Sequence, residues 1–384
     1  MTLAGRVTSP ASPVVCHVTT AHPARDARIF HKECKTLVRA GYRVVLVAQH
    51  AGRDTDDGVV IEPLPPAAGK AQRLVRLVPR ALLTALRQRA ALYHFHDPEL
   101  IPVALILCLL RRGRVVYDMH ELYSEALAPF GRSRPVVRAA LHLALERVPL
   151  RFFDLVVFPT ESLRLEIGAP TASVTLVNLP TIQAGRRVPP PVAWDRREHD
   201  VIHLGTISPP RMAFMLDVAR RAAELRPQLR WFFLGIADST VGWARANYDA
   251  AFLDRHVKMR KRTTHVEALR HIQTSRLGFN YHPLERRFRV AIPMKVFEYM
   301  QMEVPVVSTA LPELTRWLEP DRDAVLIDGD DPAVYARAIA ELLADPARAE
   351  ALAHAGRTKI LDGLNWESSE APKLLDAYAD VLGR

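Results

Sequence analysis

The sequence predicts an α/β protein with two doubly wound parallel-sheet domains, and three observations support this prediction. Short valine-rich runs alternate with amphipathic, helix-like stretches along the chain. This alternation stops once, at a proline-rich and charged segment, and then resumes. A chain of 384 residues is also too long for one ordinary core and suits two domains of similar size. Continuous apolar strands with helices between them are typical of parallel sheets covered on both faces.

The first predicted domain, residues 1–183, contains seven strand-like runs: VVCHVTT, RVVLVAQ, VVIEPLP, LYHFHD, RVVYDMH, LVVFPT and VTLVNLP. ARIFHKECKTLVRAG has the pattern of a helix that ends at Gly41, because glycine readily adopts the left-handed conformation that closes a helix. The longest apolar stretch, LIPVALILCLL, has about half the length that spans a bilayer, so it predicts a buried helix.

Residues 184–200 are predicted to be a linker, because they include three consecutive prolines and several charged residues. The second predicted domain, residues 201–365, resumes the alternation with the runs VIHLGTI, RWFFLG, HVKMRK, RLGFNYHP, VPVVST and AVLIDG. Two such domains joined by a linker are expected to create a cleft lined by the carboxyl ends of their strands.

Composition and charge exclude several classes of protein. Hydrophobic residues make up 49% of the chain and charged residues 24%, as in a globular protein. Cys16, Cys34 and Cys108 lack metal-type spacing and no signal peptide is visible, so we expect reduced thiols and a cytoplasmic protein. The net charge of +10 lies mostly in residues 1–183, which suggests an anionic surface or substrate. Nucleic acid is not an expected partner, because no nucleic-acid-binding motif is present.

The segment PMKVFEYMQMEVPVVST predicts an anion site at the start of a short helix. Pro293 suits a first helical position, and the free N–H groups of that first turn can hold a phosphate. Lys295 adds a positive charge there, and the carboxylate of Glu298 can accept hydrogen bonds from two ribose hydroxyls. The alternative is an exposed Lys–Glu pair that stabilises the helix by roughly 0.2–0.5 kcal/mol.

Polar residues also follow strands of the first predicted domain. VVYDMHE places His120 and Glu121 at a strand end, where an open α/β sheet binds ligands. His120 is either a ligand contact or a histidine satisfied inside its loop. The loop after the first strand, TAHPARDARIF, offers His22, Asp26 and Arg28, of which Asp26 is expected to be the N-cap of the next helix.

YHFHDPEL places His94 and His96 on the same face of a strand, as in a metal-binding pair. Third and fourth ligands with metal-type spacing are absent, so we expect no metal site. Asp97 is predicted to cap the helix that begins at Pro98, and His96 is expected to line the cleft.

The segment KAQRLVRLVPRALLTALRQR carries six cations and no acid. On a helix, Arg73, Arg76, Arg80 and Arg87 would share one face, opposite leucine and valine side chains. Such a helix either packs on the sheet with its arginines in water, or also contacts anionic lipid, where each cation contributes about 1 kcal/mol. Pro79 is expected to kink or split it.

Taken in order along the chain, the motifs resemble those of GT-B glycosyltransferases of the family 4 type, which use nucleotide-sugar donors. The resemblance covers nearly the whole chain and rests on HVTTAHPARDARIFHKE, YHFHDPELIPVA, VVYDMHE, HLGTISPPRM, PMKVFEYMQMEVPVVST and a late NWE. It implies two Rossmann-like domains facing a central cleft, with the acceptor on the first and the nucleotide sugar on the second. It also implies a C-terminal helix, residues 366–384, that crosses back to the first domain, and no metal or other cofactor.

The resemblance assigns roles to particular residues. Glu298 would bind the donor ribose and His120 would lie against the transferred sugar, which makes these two the catalytic candidates. The residues expected to contact the donor nucleotide and diphosphate are Gly205, Arg211, Arg289, Lys295 and Glu298. The residues expected on the acceptor side are His22, Asp26, Arg28, His96 and Glu121.

Three positions depart from the family pattern. Val290 stands where a first glutamate is usual, and Thr206 and Met212 stand where diphosphate-facing cations are usual. Arg211 and Lys295, with Arg289, would therefore have to compensate the roughly two negative charges of a diphosphate.

These departures leave two functions open. The first is transfer of a sugar, with retention, from a nucleotide-diphosphate sugar to a hydroxyl of a glycan, a lipid-linked acceptor or a secondary metabolite, in the cytoplasm or at the inner face of the membrane, for example in polysaccharide biosynthesis. The alternative is a non-catalytic GT-B protein that binds a glycan, a nucleotide or a partner glycosyltransferase. A nucleotide-sugar 2-epimerase shares the double fold but fits the FEYM-type motif poorly.

Overall fold

Two compact units make up the chain. The computed structural model describes residues 12–126, 135–168, 172–182 and 190–383. The first unit comprises Met1–Val177 and Glu370–Arg384, and the second comprises Asn178–Ser369. Of the predicted linker, residues 184–189 lie outside the described residues, whereas residues 190–200 belong to the second unit.

The first unit contains an eight-stranded sheet. Its strands are β1 Val14–Pro23, β2 Arg43–Gln49, β3 Asp54–Asp56, β4 Val59–Leu64, β5 Leu92–Phe95, β6 Arg114–Asp118, β7 Leu155–Phe158 and β8 Ser173–Thr175. They lie in the order β3-β4-β2-β1-β5-β6-β7-β8, and all neighbours are parallel except β3 and β4. Each of the seven predicted runs holds one strand. β3 was not predicted, because the sequence DTD lacks an apolar strand pattern.

Helices connect these strands. The α-helices are Lys35–Arg39, Lys70–Gln72, Val78–Gln88, Ile101–Leu110, Tyr123–Ala126, Pro135–Leu141, Glu161–Ile167 and Ala371–Gly383. The π-helical segments are Ile29–Cys34, Arg73–Leu77 and His142–Arg147, and the 3₁₀ turns are Pro98–Leu100 and Pro149–Phe152. The predicted helix end at Gly41 is confirmed, since that residue has a φ of 88° just after the helix.

The apolar helix Ile101–Leu110 is buried on one face only. Ile101 and Leu107 lie in the core, whereas Leu109 is 82% exposed and Leu110 is 50% exposed. The prediction of a buried helix is therefore wrong for its outer face. Among the helices of the described ranges, none combines the length and apolar character needed to cross a membrane.

The second unit contains a six-stranded, wholly parallel sheet. Its strands are β9 His199–Leu204, β10 Trp231–Leu234, β11 Val257–Arg260, β12 Ser275–Asn280, β13 Val306–Thr309 and β14 Val325–Ile327. They lie in the order β11-β10-β9-β12-β13-β14. The chain leaves β9 toward β10 and returns on its other side as β12, so the strand order reverses there. Such a reversal leaves a crevice beyond the carboxyl ends of the two strands, where open α/β sheets bind ligands.

The helices of the second unit cover both faces of this sheet. The α-helices are Pro209–Leu225, Asp238–Asn247, Ala250–His256, His265–Gln273, Arg286–Arg289, Met294–Gln301, Pro312–Thr315, Pro332–Ala344 and Pro346–Asp362. The 3₁₀ turn Trp194–Arg196 precedes β9, and the π-helical segment Trp366–Glu370 leads into Ala371–Gly383.

The helix Met294–Gln301 is held in place by close packing on β12. Val296, Phe297, Tyr299 and Met300 are buried, and the Tyr299 hydroxyl donates to the Phe279 carbonyl while it accepts from the Leu204 N–H. Beneath the Tyr299 ring lies Gly278, where a Cβ would come within 2.3 Å of the ring. A glycine is therefore required for the helix to sit this close to the sheet.

Gly278→Ala is expected to destabilise the second unit by about 1–3 kcal/mol, because overpacking forces the Tyr299 ring and its helix to move. Gly242→Ala, in the helix Asp238–Asn247, is the matched control, since an added Cβ there meets no atom within 4 Å. That change should stabilise by about 0.5–1 kcal/mol. All five tryptophans lie in the second unit, so urea unfolding followed by tryptophan fluorescence measures both. Equal effects of the two substitutions would contradict the packing argument.

Candidate functional site

The loop after β9 and the helix Met294–Gln301 bring Lys295 and Gly205 together. Pro293 was predicted to be the first helical residue, but it is the N-cap, and the helix begins one residue later at Met294. Lys295 lies in the first turn, and its Nζ is 3.3 Å from Nε2 of His203 on β9. Gly205 has a φ of 108°, and a Cβ there would lie 3.5 Å from the Lys295 Nζ. Because glycine carries no side chain, the loop backbone approaches this ammonium group directly.

Arg211 reaches the same strand ends from the first turn of the helix Pro209–Leu225. Its Nη2 donates to the Tyr281 carbonyl oxygen at 2.8 Å and lies 3.5 Å from Nε2 of His282, both residues that follow β12. Its buried Nε has no hydrogen-bond partner within the described ranges. We call His203, Arg211, His282 and Lys295 the cationic cluster.

No carboxylate forms an ion pair with Lys295 or Arg211 among the residues that the structure describes. Burial, reinforced by Arg211, lowers the pKa of Lys295 to about 7, with Glu298 opposing the shift. Burial and then Arg287 lower the pKa of Arg211 to about 10. Burial, Arg211 and Lys295 lower the pKa of His282 to about 2. Burial and Lys295 likewise hold the pKa of His203 well below its ordinary value, so both histidines of the cluster are neutral and its positive charge lies on Lys295 and Arg211. Nearby acids do not neutralise that charge, which is the electrostatic condition for binding an anion.

Glu298 lies one turn beyond Lys295 and remains accessible to a ligand. Its Oε1 is 3.0 Å from Nε2 of His265, a histidine whose side chain is 64% exposed. Arg289 lies in the short helix Arg286–Arg289, where its Nε donates to the Leu284 carbonyl oxygen at 3.0 Å. No contact joins Arg289 to Lys295 or Arg211 in the described part of the chain.

Arg287 stands closer to the cationic cluster than the predicted Arg289. Its guanidinium lies 4.3 Å from the centre of the Phe288 ring, and the Arg211 guanidinium lies 5.7 Å from the same ring. The sequence ERRFRV offers three arginines in four residues, so the sequence alone gives no means of choosing among them.

In the first unit, the strand ends of β5 and β6 bring His120 against Asp118 and His96. Nε2 of His120 is 3.2 Å from Oδ2 of Asp118 and 3.4 Å from Nδ1 of His96. Asp118 in turn receives two hydrogen bonds from the guanidinium of Arg28, at 2.8 and 3.0 Å. Burial opposes ionisation of Asp118, but Arg28 and then His120 hold its pKa well below the ordinary value. His120 is 18% exposed, so a fixed carboxylate orients a histidine that a ligand can reach.

Arg28 and His96, both expected on the acceptor side, are 5% and 1% exposed. Arg28 also donates to the Leu176 carbonyl oxygen and lies 2.9 Å from Glu33, so its guanidinium is fully engaged within the unit. His96 was expected to line the cleft, but the sheet and the neighbouring side chains enclose it. His96 therefore contacts His120 from inside the unit, and Arg28 acts on His120 through Asp118.

His22 was expected in the loop after the first strand, but it lies at the carboxyl end of β1, beside His120, with ring centres 4.8 Å apart. Nδ1 of His22 is 3.5 Å from Asp26, and its Nε2 is 3.5 Å from Asp97. Burial would lower the pKa of His22, but the hydrogen bond with Asp26 and the charge of Asp97 raise it overall. Asp26 was expected to be the N-cap, but the helical segment begins at Ile29 and its N-cap is Arg28. Asp26 lies two residues before that position, and its carboxylate accepts hydrogen bonds from the N–H groups of Arg28 and Ile29.

Asp97 has a role other than the predicted one. It occupies the N-cap position before Pro98, but its side chain makes no capping hydrogen bond. Its Oδ2 instead accepts from the Thr19 hydroxyl and from the N–H groups of Thr20 and Ala21, which fixes the carboxyl end of β1. Glu121 follows His120 at an exposed position.

Beneath these groups lie His17 and Glu33, which sequence reasoning missed. Both are fully buried, and Nδ1 of His17 is 3.0 Å from Nε2 of His96. The signal for His17 was a polar residue within the apolar run VVCHVTT, and for Glu33 a charge on the apolar face of its helix.

Two family models match the chain. The model for Glycosyltransferase Family 4 matches residues 27–169, and the model described as Glycosyl transferase-like matches residues 210–372. The first match contains the strand ends around His120, and the second contains Arg211, Lys295 and Glu298. No curated protein sequence matches the chain.

Solved structures share the fold over almost the whole chain. A sucrose-phosphate synthase from Thermosynechococcus elongatus aligns with a TM-score of 0.75 at 15% identity, covering 97% of this chain and 99% of that one. HepE from Anabaena in complex with UDP-glucose aligns with a TM-score of 0.69 at 14% identity, covering 96% and 100%. The catalytic domain of starch synthase IV from Arabidopsis thaliana, bound to ADP and acarbose, gives a TM-score of 0.69 at 12% identity, covering 97% and 100%.

Proposed function

We propose that this chain, which belongs to the GT-B glycosyltransferases of the family 4 type, transfers a hexosyl unit from a nucleotide-diphosphate sugar to an acceptor hydroxyl. The cationic cluster carries this proposal. A diphosphate brings two negative charges to a partly buried site whose cations lack carboxylate partners, and charge-assisted hydrogen bonds are strongest in such surroundings. HepE and starch synthase IV, which share the fold, are described with UDP-glucose and with ADP respectively.

The donor would be held by residues of the second unit. Lys295 and Arg211 would bind the diphosphate, with the free N–H groups of the first turn at Lys295 as further donors. The Gly205 backbone would pass close to the phosphates, because glycine places no side chain between this loop and Lys295. Glu298 would accept hydrogen bonds from the ribose hydroxyls in exchange for its contact with His265. Arg289, exposed on its short helix, would contribute charge from the rim.

The acceptor would meet residues of the first unit. His120, oriented by Asp118, would contact the transferred sugar, and His22 with Asp26 and the exposed Glu121 would offer hydrogen bonds to the acceptor. Arg28 and His96 would act only through His120, since both are enclosed. We assign retention of configuration, in which the leaving diphosphate accepts the proton of the acceptor hydroxyl. Stabilisation of that departing charge by Lys295 and Arg211 would then be the main catalytic contribution, and the reaction would need no metal.

A thermal-shift screen against UDP, GDP, TDP, ADP and their sugars tests the donor site. One nucleotide series is expected to raise the Tm, because a ligand that binds only the folded state stabilises it by mass action. Glu298→Ala should abolish both that shift and sugar transfer, whereas Glu341→Ala, exposed on the helix Pro332–Ala344, should change neither. A rise in Tm with a nucleotide but no turnover of any donor sugar would favour the non-catalytic alternative. One reason for that alternative is Val290, a buried apolar residue at the position where the family pattern has a glutamate.

We further propose that the acceptor is lipid-linked and that the first unit contacts anionic membrane. The π-helical segment Arg73–Leu77 continues directly into the α-helix Val78–Gln88, with helical backbone at the junction before Pro79. The two segments expose Leu74, Val75 and Leu83 beside Arg76 and Arg80. The helix Ile101–Leu110 packs against Val78–Gln88, and its exposed face is also apolar. Apolar side chains bordered by arginines favour an anionic lipid surface. Arg73 is set apart from the rest, since it pairs with Glu99 at 3.0 Å.

Liposome flotation tests this contact. Arg76→Glu/Arg80→Glu should lower the bound fraction on anionic vesicles several-fold, because like charges repel the surface. Arg220→Glu/Arg221→Glu makes the same charge change on an exposed face of the second unit and should leave flotation unaltered. Equal binding to neutral and anionic vesicles would count against the proposal.

A further inference from the structure

A buried cluster of three histidines and a glutamate lies within the first unit, beneath the strand ends. We call His17 on β1, Glu33 on the helix after it, and His94 and His96 on β5 the histidine cluster. Their exposed fractions are at most 1%. One ligand-type atom from each residue lies within 4.8 Å of the corresponding atom of every other. The parallel register sets His17 directly beside His94, so two strands and one helix converge on a single point.

The separations among the ligand atoms of His17, His96 and Glu33 are close to the spacing of ligands around one ion. Nδ1 of His17 is 3.0 Å from Nε2 of His96, and Oε2 of Glu33 is 3.9 Å from each of those two nitrogens. Tetrahedral coordination with bonds of about 2.0–2.2 Å separates ligand atoms by roughly 3.3–3.6 Å. Small side-chain movements would therefore place all the atoms at bonding distance from a common centre.

The outward-facing nitrogens of the three histidines meet oxygen atoms. Nδ1 of His96 is 3.3 Å from Oδ2 of Asp118, Nδ1 of His94 is 2.6 Å from the Tyr378 hydroxyl, and Nε2 of His17 is 3.4 Å from the same hydroxyl. This is the outer arrangement of metal-bound histidines, in which one ring N–H is donated to an oxygen and the other nitrogen binds the ion.

Among the described residues, Nδ1 of His17 and Nε2 of His96 have only each other as hydrogen-bond partners, and the inward-facing atoms of His94 and Glu33 accept no hydrogen bond. Nε2 of His94 is buried without one, and neither carboxylate oxygen of Glu33 accepts a hydrogen bond, although Oε1 lies 2.9 Å from Nε of Arg28. A buried polar atom without a partner is costly, and a bound cation would satisfy Nε2 of His94 and Oε2 of Glu33 at once, while Oε1 of Glu33 keeps its ion pair with Arg28.

We propose that the histidine cluster binds one Zn²⁺ ion, with His17, Glu33, His94 and His96 as its four ligands. Three imidazoles and a carboxylate suit Zn²⁺, which favours tetrahedral nitrogen and oxygen sites. All four ligands are protein side chains and the site is enclosed, so the ion is structural and joins β1, β5 and the intervening helix. The sequence prediction of no metal site was made because no third and fourth ligands lie near His94 and His96 along the chain. In the fold, His17 and Glu33 are brought beside them and would be those two ligands. It does not depend on the proposed transfer reaction.

The test begins with metal content. Tag-free protein, purified without a metal column from cells supplied with zinc, should contain about one zinc per chain by mass spectrometry. Unfolding in EDTA and refolding without metal should lower the Tm by about 5 °C or more, and added ZnCl₂ should restore it. Refolding with Co²⁺ should give the visible absorption of a tetrahedral Co²⁺ site.

Two variants and one control separate the zinc site from a metal-free hydrogen-bonded core. Glu33→Gln preserves shape and can occupy a metal-free core with little loss, but it should release the zinc, as should His94→Gln. His199→Gln, half-buried in the second unit, should retain it. If the variants do not fold, the zinc content and the Tm of the wild-type chain still distinguish a zinc site from a metal-free core. The proposal would be overturned if the folded wild-type protein contained no zinc and its Tm changed with neither EDTA nor ZnCl₂. The contact between His17 and His96 would then be a hydrogen bond of a metal-free core.

Discussion

Replacing Lys295 with methionine is expected to lower kcat/KM for sugar transfer by about 10²–10³-fold, the usual cost of removing one group that stabilises developing negative charge. Methionine keeps much of the length of the lysine stem, so the helix Met294–Gln301 should remain in place. Only the positive charge 3.3 Å from His203 is lost. Transfer kinetics with the donor found by thermal shift measure this effect.

The same substitution should have the opposite effect on stability. The folded-state pKa of Lys295 is about 7, below the value of 10.5 in an unfolded chain, so the unfolded state binds more protons between these pH values. Stability of the wild type therefore rises with pH through this window, and below pH 7 the full cost of a buried, unpaired ammonium applies. Lys295→Met should raise the Tm most near pH 6 and least near pH 10.

Donor binding provides a second pH readout and a control. Both phosphates of a nucleotide sugar are esterified, so their charge is constant above pH 5, and only the protein titrates. Wild-type affinity should fall as pH rises above about 7, because binding then requires uptake of a proton by Lys295. Lys295→Arg keeps its charge and should give a flat profile. A Lys295→Met variant with near wild-type transfer would remove the diphosphate role from this residue.

Much of the fold could be predicted because its signals are local. Every predicted strand run holds a strand, and the helix end at Gly41 follows from one residue type. The short antiparallel β3 escaped prediction because its pairing depends on β4, not on its own residues. The half-exposed helix Ile101–Leu110 was misjudged because hydrophobicity predicts a tendency to be buried, whereas burial depends on what packs alongside.

The candidate site divides in the same way. Lys295 and Glu298 are adjacent in one motif, so their proximity could be read from the sequence. Arg28 and Asp118 are 90 residues apart, and only the order of β1, β5 and β6 in the sheet brings them into contact. That contact changes the interpretation of Arg28 from an exposed binding group to an enclosed support. Residue type alone could not distinguish the two, since arginines usually lie at the surface.

Arg28→Met is expected to destabilise the first unit by about 3–5 kcal/mol, because it leaves the buried carboxylate of Asp118 without its ion pair. The Arg28 side chain is 6% exposed, and those of its acidic partners Asp118 and Glu33 are fully buried. In the wild type, Arg28 holds the pKa of Asp118 below its unfolded value, so protonation of Asp118 at low pH removes stability. Without Arg28, burial would raise that pKa, and the variant should therefore lose less stability than the wild type as the pH falls below the ordinary range of a carboxyl.

Arg25→Met is the matched control on the same loop. Arg25 also pairs with two aspartates, Asp54 at 2.9 Å and Asp56 at 2.8 Å, but its side chain is 47% exposed. Exposed pairs contribute about 0–1 kcal/mol, so burial is the main variable that separates the two substitutions. Native-state hydrogen exchange of β6 reports the first unit, while tryptophan fluorescence reports the second, which should not respond. If both variants lose equal stability, the Arg28–Asp118 pair does not hold the strand ends together, and the orientation of His120 must depend on its loop instead.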